Sequence, residues 1–425
     1  MESGDAAWVL TSAALVLFMT PGLAFFYGGM DRSRNVLNML MMNFWCLLTI
    51  PILWVTIGYT LAQAPFENDF IGDFTNAFLK DMTITGADGG KGLLVMVFLG
   101  MFAVITPALI SGAVADRMKF SAWAIFAPVW TLLVFVPVFK WVYGGWFFQG
   151  VLSDNPDLAL PGSIDFAGGT AIHVNAGISA LAAVLVLGKR KGWPQEGHPP
   201  HSMPLVMLGT GILWFGWFGF NAGSSLFANG QAVQAFINTF LAASAAGLAW
   251  ALIERVRDGH FTNLGAASGI VAGLVAITPC AGFVAGMAPL YIGAIAGVAC
   301  CFAVGLKNKA GYDDALDVVG VHFVGGLVGS LLLGFFADAS FYGGDEPFFM
   351  DGWLLGGGPD LLIEQIIANG ATIVYAFVVT TLIMLALKAT IGVRVSEDVE
   401  SSGLDLAEHA ETAYHSGASS SHTGS

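Results

Sequence analysis

Eleven stretches of this chain are apolar for long enough to cross a lipid bilayer, and no other feature limits its fold as much. Their approximate limits are 6–29, 36–61, 92–114, 121–141, 166–187, 203–228, 232–253, 262–280, 288–306, 315–337 and 361–388. A spanning helix needs about 20 apolar residues. The runs are continuous rather than alternating, which points to helices and not to a β-barrel. Charged residues are only 11% of the chain, against about 25% in soluble domains. The expected fold class is an all-α polytopic membrane protein. One bundle takes residues 1–388, and residues 389–425 form a tail.

Charge fixes the expected orientation. With the N-terminus outside, 13 of the 16 Lys and Arg residues fall on the inner side, and only Lys80, Lys91 and Lys140 do not. The positive-inside rule therefore predicts N-out and C-in. Outer loops such as "FENDFIGD", "SDNPDL" and "DASFYGGDEPFFMDG" are acidic. They attract cations in general, or serve solubility in a salty medium. The acidic start "MESGDAAW" lacks the basic region of a secretory signal, so the first run is expected to stay as a helix. Cys46, Cys280, Cys300 and Cys301 all lie inside apolar runs, without the spacing of a zinc site or a disulfide framework.

An odd number of spans makes segments 1–5 and 6–10 enter the membrane from opposite sides, which is how inverted repeats are built. The stretches "DFAGGTAIHVNAG" (Asp165 to Gly177) and "DVVGVHFVGG" (Asp317 to Gly326) occupy the matching fifth and tenth segments. Each sets one histidine, His173 or His322, among apolar and small residues. His173 lies 16 residues before Lys189, and His322 lies 13 residues after Lys309. At about 1.5 Å per residue both sit roughly 20–24 Å from the inner side, near mid-membrane. The other six histidines fall in inner loops or the tail.

Ionisable groups at that depth face a bundle interior or a pathway. Two readings stand: neutral imidazoles bonded across a helix interface as packing glue, or a hydrogen-bonded pair along a pore. Two histidines without Cys or a nearby carboxylate are too few for a metal site. Aromatics gather toward the outer ends. "FLGMFAVITP" sets Phe98 and Phe102 one turn apart, "KWVYGGW" carries Trp141, Tyr143 and Trp146, and "GWFGFNAGS" carries Trp217, Phe220 and Ser224. Such rings attract desolvated cations, or form an interfacial belt.

Together with "FFYGG" and the tail segment "GLDLAEHAETAY", these motifs closely resemble the ammonium transporter (Amt) family, across residues 5–414 and in the family's order. "GFNAGS" favours the Amt branch over the Rhesus branch. The resemblance implies eleven helices with a pseudo-twofold repeat, a homotrimer with one pore per subunit, and residence in the cell membrane. It makes His173 and His322 the twin pore histidines, and Phe102 and Phe220 a stacked gate. The outer ammonium site would include Ser224 and the aromatic at 143, and Phe98 and Trp217 are expected among the substrate-binding and pore residues. Many members have Trp where this chain has Tyr143, and a phenol face attracts a cation less than an indole does. Asp165 is expected to cap or polarise that site rather than ligate, and Asp317 to be its inner counterpart.

The function so implied is recruitment of ammonium, its deprotonation, and passage of ammonia between the histidines, with a proton relay that makes transport electrogenic. No enzyme activity, cofactor, metal or nucleic-acid partner is expected. A PII-type signal protein is implied at the inner face. The tail carries six acids against Arg394, and "HSGASSSHTGS" is expected to be disordered by composition; the resemblance implies that the proximal part packs under the trimer and couples subunits. The alternatives are an ammonium sensor with little flux and an electroneutral gas channel of the Rhesus type.

Overall fold

The computed structural model describes residues 2–63, 69–84, 90–149, 162–195, 199–341 and 349–414. Parts of two of the acidic loops, all of "SDNPDL", and the distal tail from 415 lie outside the described residues. All eleven expected segments are helical: α1 (Ser3–Met30), α2 (Val36–Gln63), α3 (Lys91–Val114), α4 (Phe120–Phe148), α5 (Gly169–Leu187), α6 (Met203–Gly223), α7 (Gly230–Arg257), α8 (Asn263–Ile277), α9 (Ala288–Ala310), α10 (Val319–Phe336) and α11 (Asp360–Thr390). Ten are long and apolar enough to cross a membrane, and α8, at 15 residues, is shorter than the sequence suggests. It stops at Thr278 because Pro279 follows, and residues 278–284 continue as buried turns.

α1 and α6 pack most intimately, since glycines let their backbones meet. A Cβ on Gly209 would lie 2.4 Å from the backbone nitrogen of Phe26, and one on Gly216 would lie 2.3 Å from Met19 Cγ. α5 and α10 cross the same way. A Cβ on Gly177 would meet the Phe323 nitrogen at 2.4 Å, and one on Gly326 would meet the Gly169 carbonyl at 3.0 Å. Each of these last two glycines lies four residues after a histidine, one helical turn on.

The tail folds back on one end of the bundle, called here the tail end. Its residues 393–395 pair with 117–119, and two short helices follow, α12 (Glu397–Ser402) and α13 (Leu404–His409). Asn35 Oδ1 accepts the Leu404 N–H at 2.9 Å, and Asp405 Oδ1 accepts the Asn38 N–H at 2.8 Å, capping α2. Glu400 pairs with Arg394 at 2.7 Å and accepts the Lys191 N–H at 2.7 Å. Asn35 also donates to Asp116. That carboxylate belongs to a buried ionic cluster with Arg32 (2.9 Å) and Arg190 (2.8 Å), and Arg190 reaches on to Asp313 at 2.8 Å. Burial works against charge on Asp116. A hydrogen bond with Asp31 and the guanidiniums of Arg190 and Arg32 outweigh it, holding that carboxyl far below its usual range. Fully paired, such a cluster ties four loops together. Losing one member leaves a buried charge exposed to full desolvation cost.

Candidate functional site

His173 and His322, 149 residues apart, meet inside the bundle with their Nδ1 atoms 3.3 Å from each other and their rings inclined by 18°. Both are buried. Each sits in a π-helical turn, Gly169–Val174 or Val319–Phe323, that opens its helix. Such turns displace a side chain from the regular helical register and recur at functional sites. A contact between two Nδ1 atoms needs one proton, so one ring donates while the other accepts. The two Nε2 atoms are then unlike, one bearing hydrogen and one a lone pair. Nε2 of His173 is buried and has no partner among the described residues. Buried polar atoms are nearly always satisfied within the protein, so an orphan in a core asks for a function.

The first turn of α5 is organised by Asp165. Its two carboxylate oxygens accept the N–H groups of Gly168, Gly169, Thr170 and Ala171 at 2.7–3.1 Å. Gly168 allows the sharp entry at φ +113°. This is the capping role expected from the sequence. In the other half the cap is Asp314, whose Oδ2 accepts the Val319 N–H at 2.7 Å. Asp317 instead pairs with Lys307. The expectation for Asp317 is corrected accordingly: it lies at the tail end, but it is not the structural counterpart of Asp165. The signal was available, because Asp165–His173 and Asp314–His322 are both separated by eight residues.

On the far side of His173, away from the tail end, lies a stack of rings. His173 stacks on Trp217 at 5.5 Å and on Phe220 at 6.0 Å. Phe220 contacts Phe102 at 4.4 Å, and Phe102 contacts Phe98 at 4.9 Å. All are nearly inaccessible, Phe102 at 3% and Phe220 at 1%. Trp217 is held by its Nε1–H donating to Thr278 Oγ1 at 2.9 Å. Behind the rings the histidines face a narrow cavity with room for about one water. Its remaining walls are aliphatic or thioether side chains and Phe26, among them Met19, Leu23, Ile105, Leu109 and Val271.

Beyond the phenylalanines, two adjoining cavities share Tyr143, Phe166 and Ser224 and form a vestibule. Ser224 Oγ–H donates to the Phe220 carbonyl at 2.8 Å, leaving its lone pairs for the cavity. Tyr143 is held against Phe139 at 4.7 Å. Every site residue expected from the sequence is therefore in this column except Asp317. Sequence reasoning missed Phe166, Phe139, Gln63 and Gln231 in the vestibule wall. Phe166 directly follows Asp165 in the stretch already singled out, whereas nothing in the local pattern marks Phe139, Gln63 or Gln231.

Fold and site define a multi-pass helical membrane protein of the transporter class, with paired imidazoles in an apolar core closed off by stacked rings. Residues 7–414 match the model of the Ammonium Transporter Family. The chain belongs to that family and is a multi-pass protein of the cell membrane. It is 48% identical over 435 residues to an ammonium transporter of Mycobacterium tuberculosis, covering 97% of this chain and 90% of that one. The crystal structure of Candida albicans Mep2 superimposes with a TM-score of 0.85 at 32% identity, covering 94% of this chain and 87% of the other. A solved "Sensor Amt Protein" superimposes with a TM-score of 0.84 at 26% identity, covering 96% and 98%.

Proposed function

We propose that the chain conducts ammonium nitrogen inward by recruiting ammonium in the vestibule, stripping one proton, and passing ammonia between His173 and His322. The observation that carries this reading is the unpartnered Nε2 of His173, buried in an otherwise apolar cavity behind Phe102 and Phe220. Ammonium and potassium share a charge and nearly a size. A bare cation in that cavity costs several kcal/mol or more. Ammonium has a neutral form that can enter, and potassium has none. The rings of Phe98, Phe102 and Tyr143 attract the cation by their faces, and Ser224 supplies an oxygen acceptor. The histidine pair then offers ammonia its polar foothold and the proton a relay.

The remaining organisation follows from the same reading. The short α8 is counted as an eleventh span, with α1–α5 and α6–α10 as inverted repeats. Residues 1–388 form the transporting domain and 389–425 a cytoplasmic tail. The Lys and Arg asymmetry supports N-out and C-in, which makes the tail end cytoplasmic. Family membership supports a homotrimer in the bilayer with a PII-type protein at the cytoplasmic face.

The test is current from purified protein on a solid-supported membrane, with an ammonium pulse and then a potassium pulse. The expected result is a transient with ammonium alone that is lost in His173→Ala/His322→Ala. Ammonium binding without any current would favour the sensor or the neutral gas channel and overturn the relay.

A further inference from the structure

We infer that Gln63 is a specificity-determining residue of the vestibule, its side-chain carbonyl accepting an N–H from the bound cation alongside Ser224. The inference rests on the vestibule being the ammonium site. Ammonium has four N–H donors; aromatic faces stabilise its charge but accept hydrogen bonds poorly, so selective binding needs oxygen acceptors. Asp165 has both oxygens engaged by four backbone N–H groups. Ser225 Oγ donates to Ala222 O at 2.9 Å and accepts the Phe227 N–H at 3.3 Å. Gln231, whose amide nitrogen donates to the Gly282 carbonyl at 3.2 Å, lines the outer cavity beside Asp165 and not the one against Phe98 and Phe102.

Gln63 differs from these. Its half-buried side chain lines the same cavity as Phe98, Phe102, Tyr143 and Ser224, and no hydrogen bond engages its amide group among the described residues. Apart from the hydroxyls of Tyr143 and Ser224, the wall around it is phenyl and aliphatic. Gln63 and Ser224 reach this cavity from different helices, at the end of α2 and just after α6, and in the inferred binding mode the cation donates to both. The backbone also holds Gln63 in place. The Leu61 carbonyl accepts the Gly72 N–H at 2.7 Å, Thr60 Oγ1 donates to the Asp73 carbonyl at 2.9 Å, and the Lys140 ammonium approaches the Gln63 carbonyl at 3.5 Å.

The test compares Gln63→Met, Gln63→Glu and Ser224→Ala with the native protein, reconstituted on a solid-supported membrane and pulsed with ammonium over a concentration series. Gln63→Met keeps the length and removes the acceptor. It is expected to raise the half-saturating ammonium concentration about tenfold while leaving the saturating current within about twofold. Gln63→Glu keeps an oxygen acceptor and is expected to match or exceed native affinity. Unchanged half-saturation in Gln63→Met, or equal impairment in Gln63→Met and Gln63→Glu, overturns the assignment. Ser224→Ala separates the failures. If it raises half-saturation while Gln63→Met does not, only the role of Gln63 falls. If neither variant changes it, the vestibule reading falls as well.

Discussion

The crossing of α5 and α10 makes a steep prediction for Gly177→Ala. A methyl group there would lie 2.4 Å from the nitrogen of Phe323 and 2.6 Å from its Cα. Restoring ordinary contact at about 3.4 Å means separating the helices locally by roughly 1 Å. Phe323 directly follows His322, so that displacement carries the imidazole with it. An Nδ1–Nδ1 distance of 3.3 Å becomes roughly 4.3 Å, outside hydrogen-bond range. Overpacking of this kind costs about 1–3 kcal/mol. The expected outcome is a lower thermal unfolding midpoint in detergent and an ammonium current reduced tenfold or more. Gly370→Ala is the control: nothing stands within 4 Å of its added methyl group in α11. It should be neutral or stabilising by up to about 1 kcal/mol, because Ala is the better helix former. Native current and native stability in Gly177→Ala would refute the claim that close backbone contact sets the histidine pair.

Three further outcomes follow from the tail end. Ala410 ends α13 at φ +56°, a conformation costing about 1–2 kcal/mol for a residue with a Cβ. Ala410→Gly should strengthen tail docking by about 1 kcal/mol and slow hydrogen exchange over residues 397–414; unchanged exchange would count against it. Asn35→Ala removes both the acceptor for Leu404 and a donor to buried Asp116. It should cost about 2–3 kcal/mol and speed exchange at the Leu404 amide, and protection equal to native would refute that link. Burial pushes the Asp314 carboxyl up to about 6. Because the folded state holds that proton more tightly than the unfolded chain, stability falls as pH rises from about 4 to about 6 and stays lowered above. Asp314→Asn should therefore gain up to about 3 kcal/mol at pH 7.5, with the advantage over native gone by pH 4. A midpoint difference independent of pH would refute the titration of Asp314.

Hydrophobic run length is a local property, so the helical segments that carry both histidines are legible in residue order. Helix ends were less legible. α8 stops early because Pro279 and buried turns complete the wall, and composition does not distinguish such turns from another helical turn. The ring column was accessible only through the family resemblance. Aromatic residues at helix ends are as readily a membrane belt as a gate, and only the packing of Phe102 on Phe220 separates the two. Asp317 is nearer to His322 in sequence than Asp314 is, yet the spacing of eight residues shared with Asp165 and His173 marks Asp314 as the cap.

What residue order alone determined was the class of molecule, a helical multi-pass membrane protein, together with which groups are costly inside a bilayer and which end is basic. The tertiary structure decided which of those groups meet. A 3.3 Å contact between His173 and His322 depends on glycines that let α5 and α10 approach, and on two carboxylates capping the turns that carry the rings. The vestibule draws Gln63, Tyr143 and Ser224 from separate helices. The tail is held by Asn35, which binds it and the buried ionic cluster at once. Distances between helices follow from crossing geometry, which is the sum of many small contacts distributed over the whole chain, and no single stretch of residues encodes it.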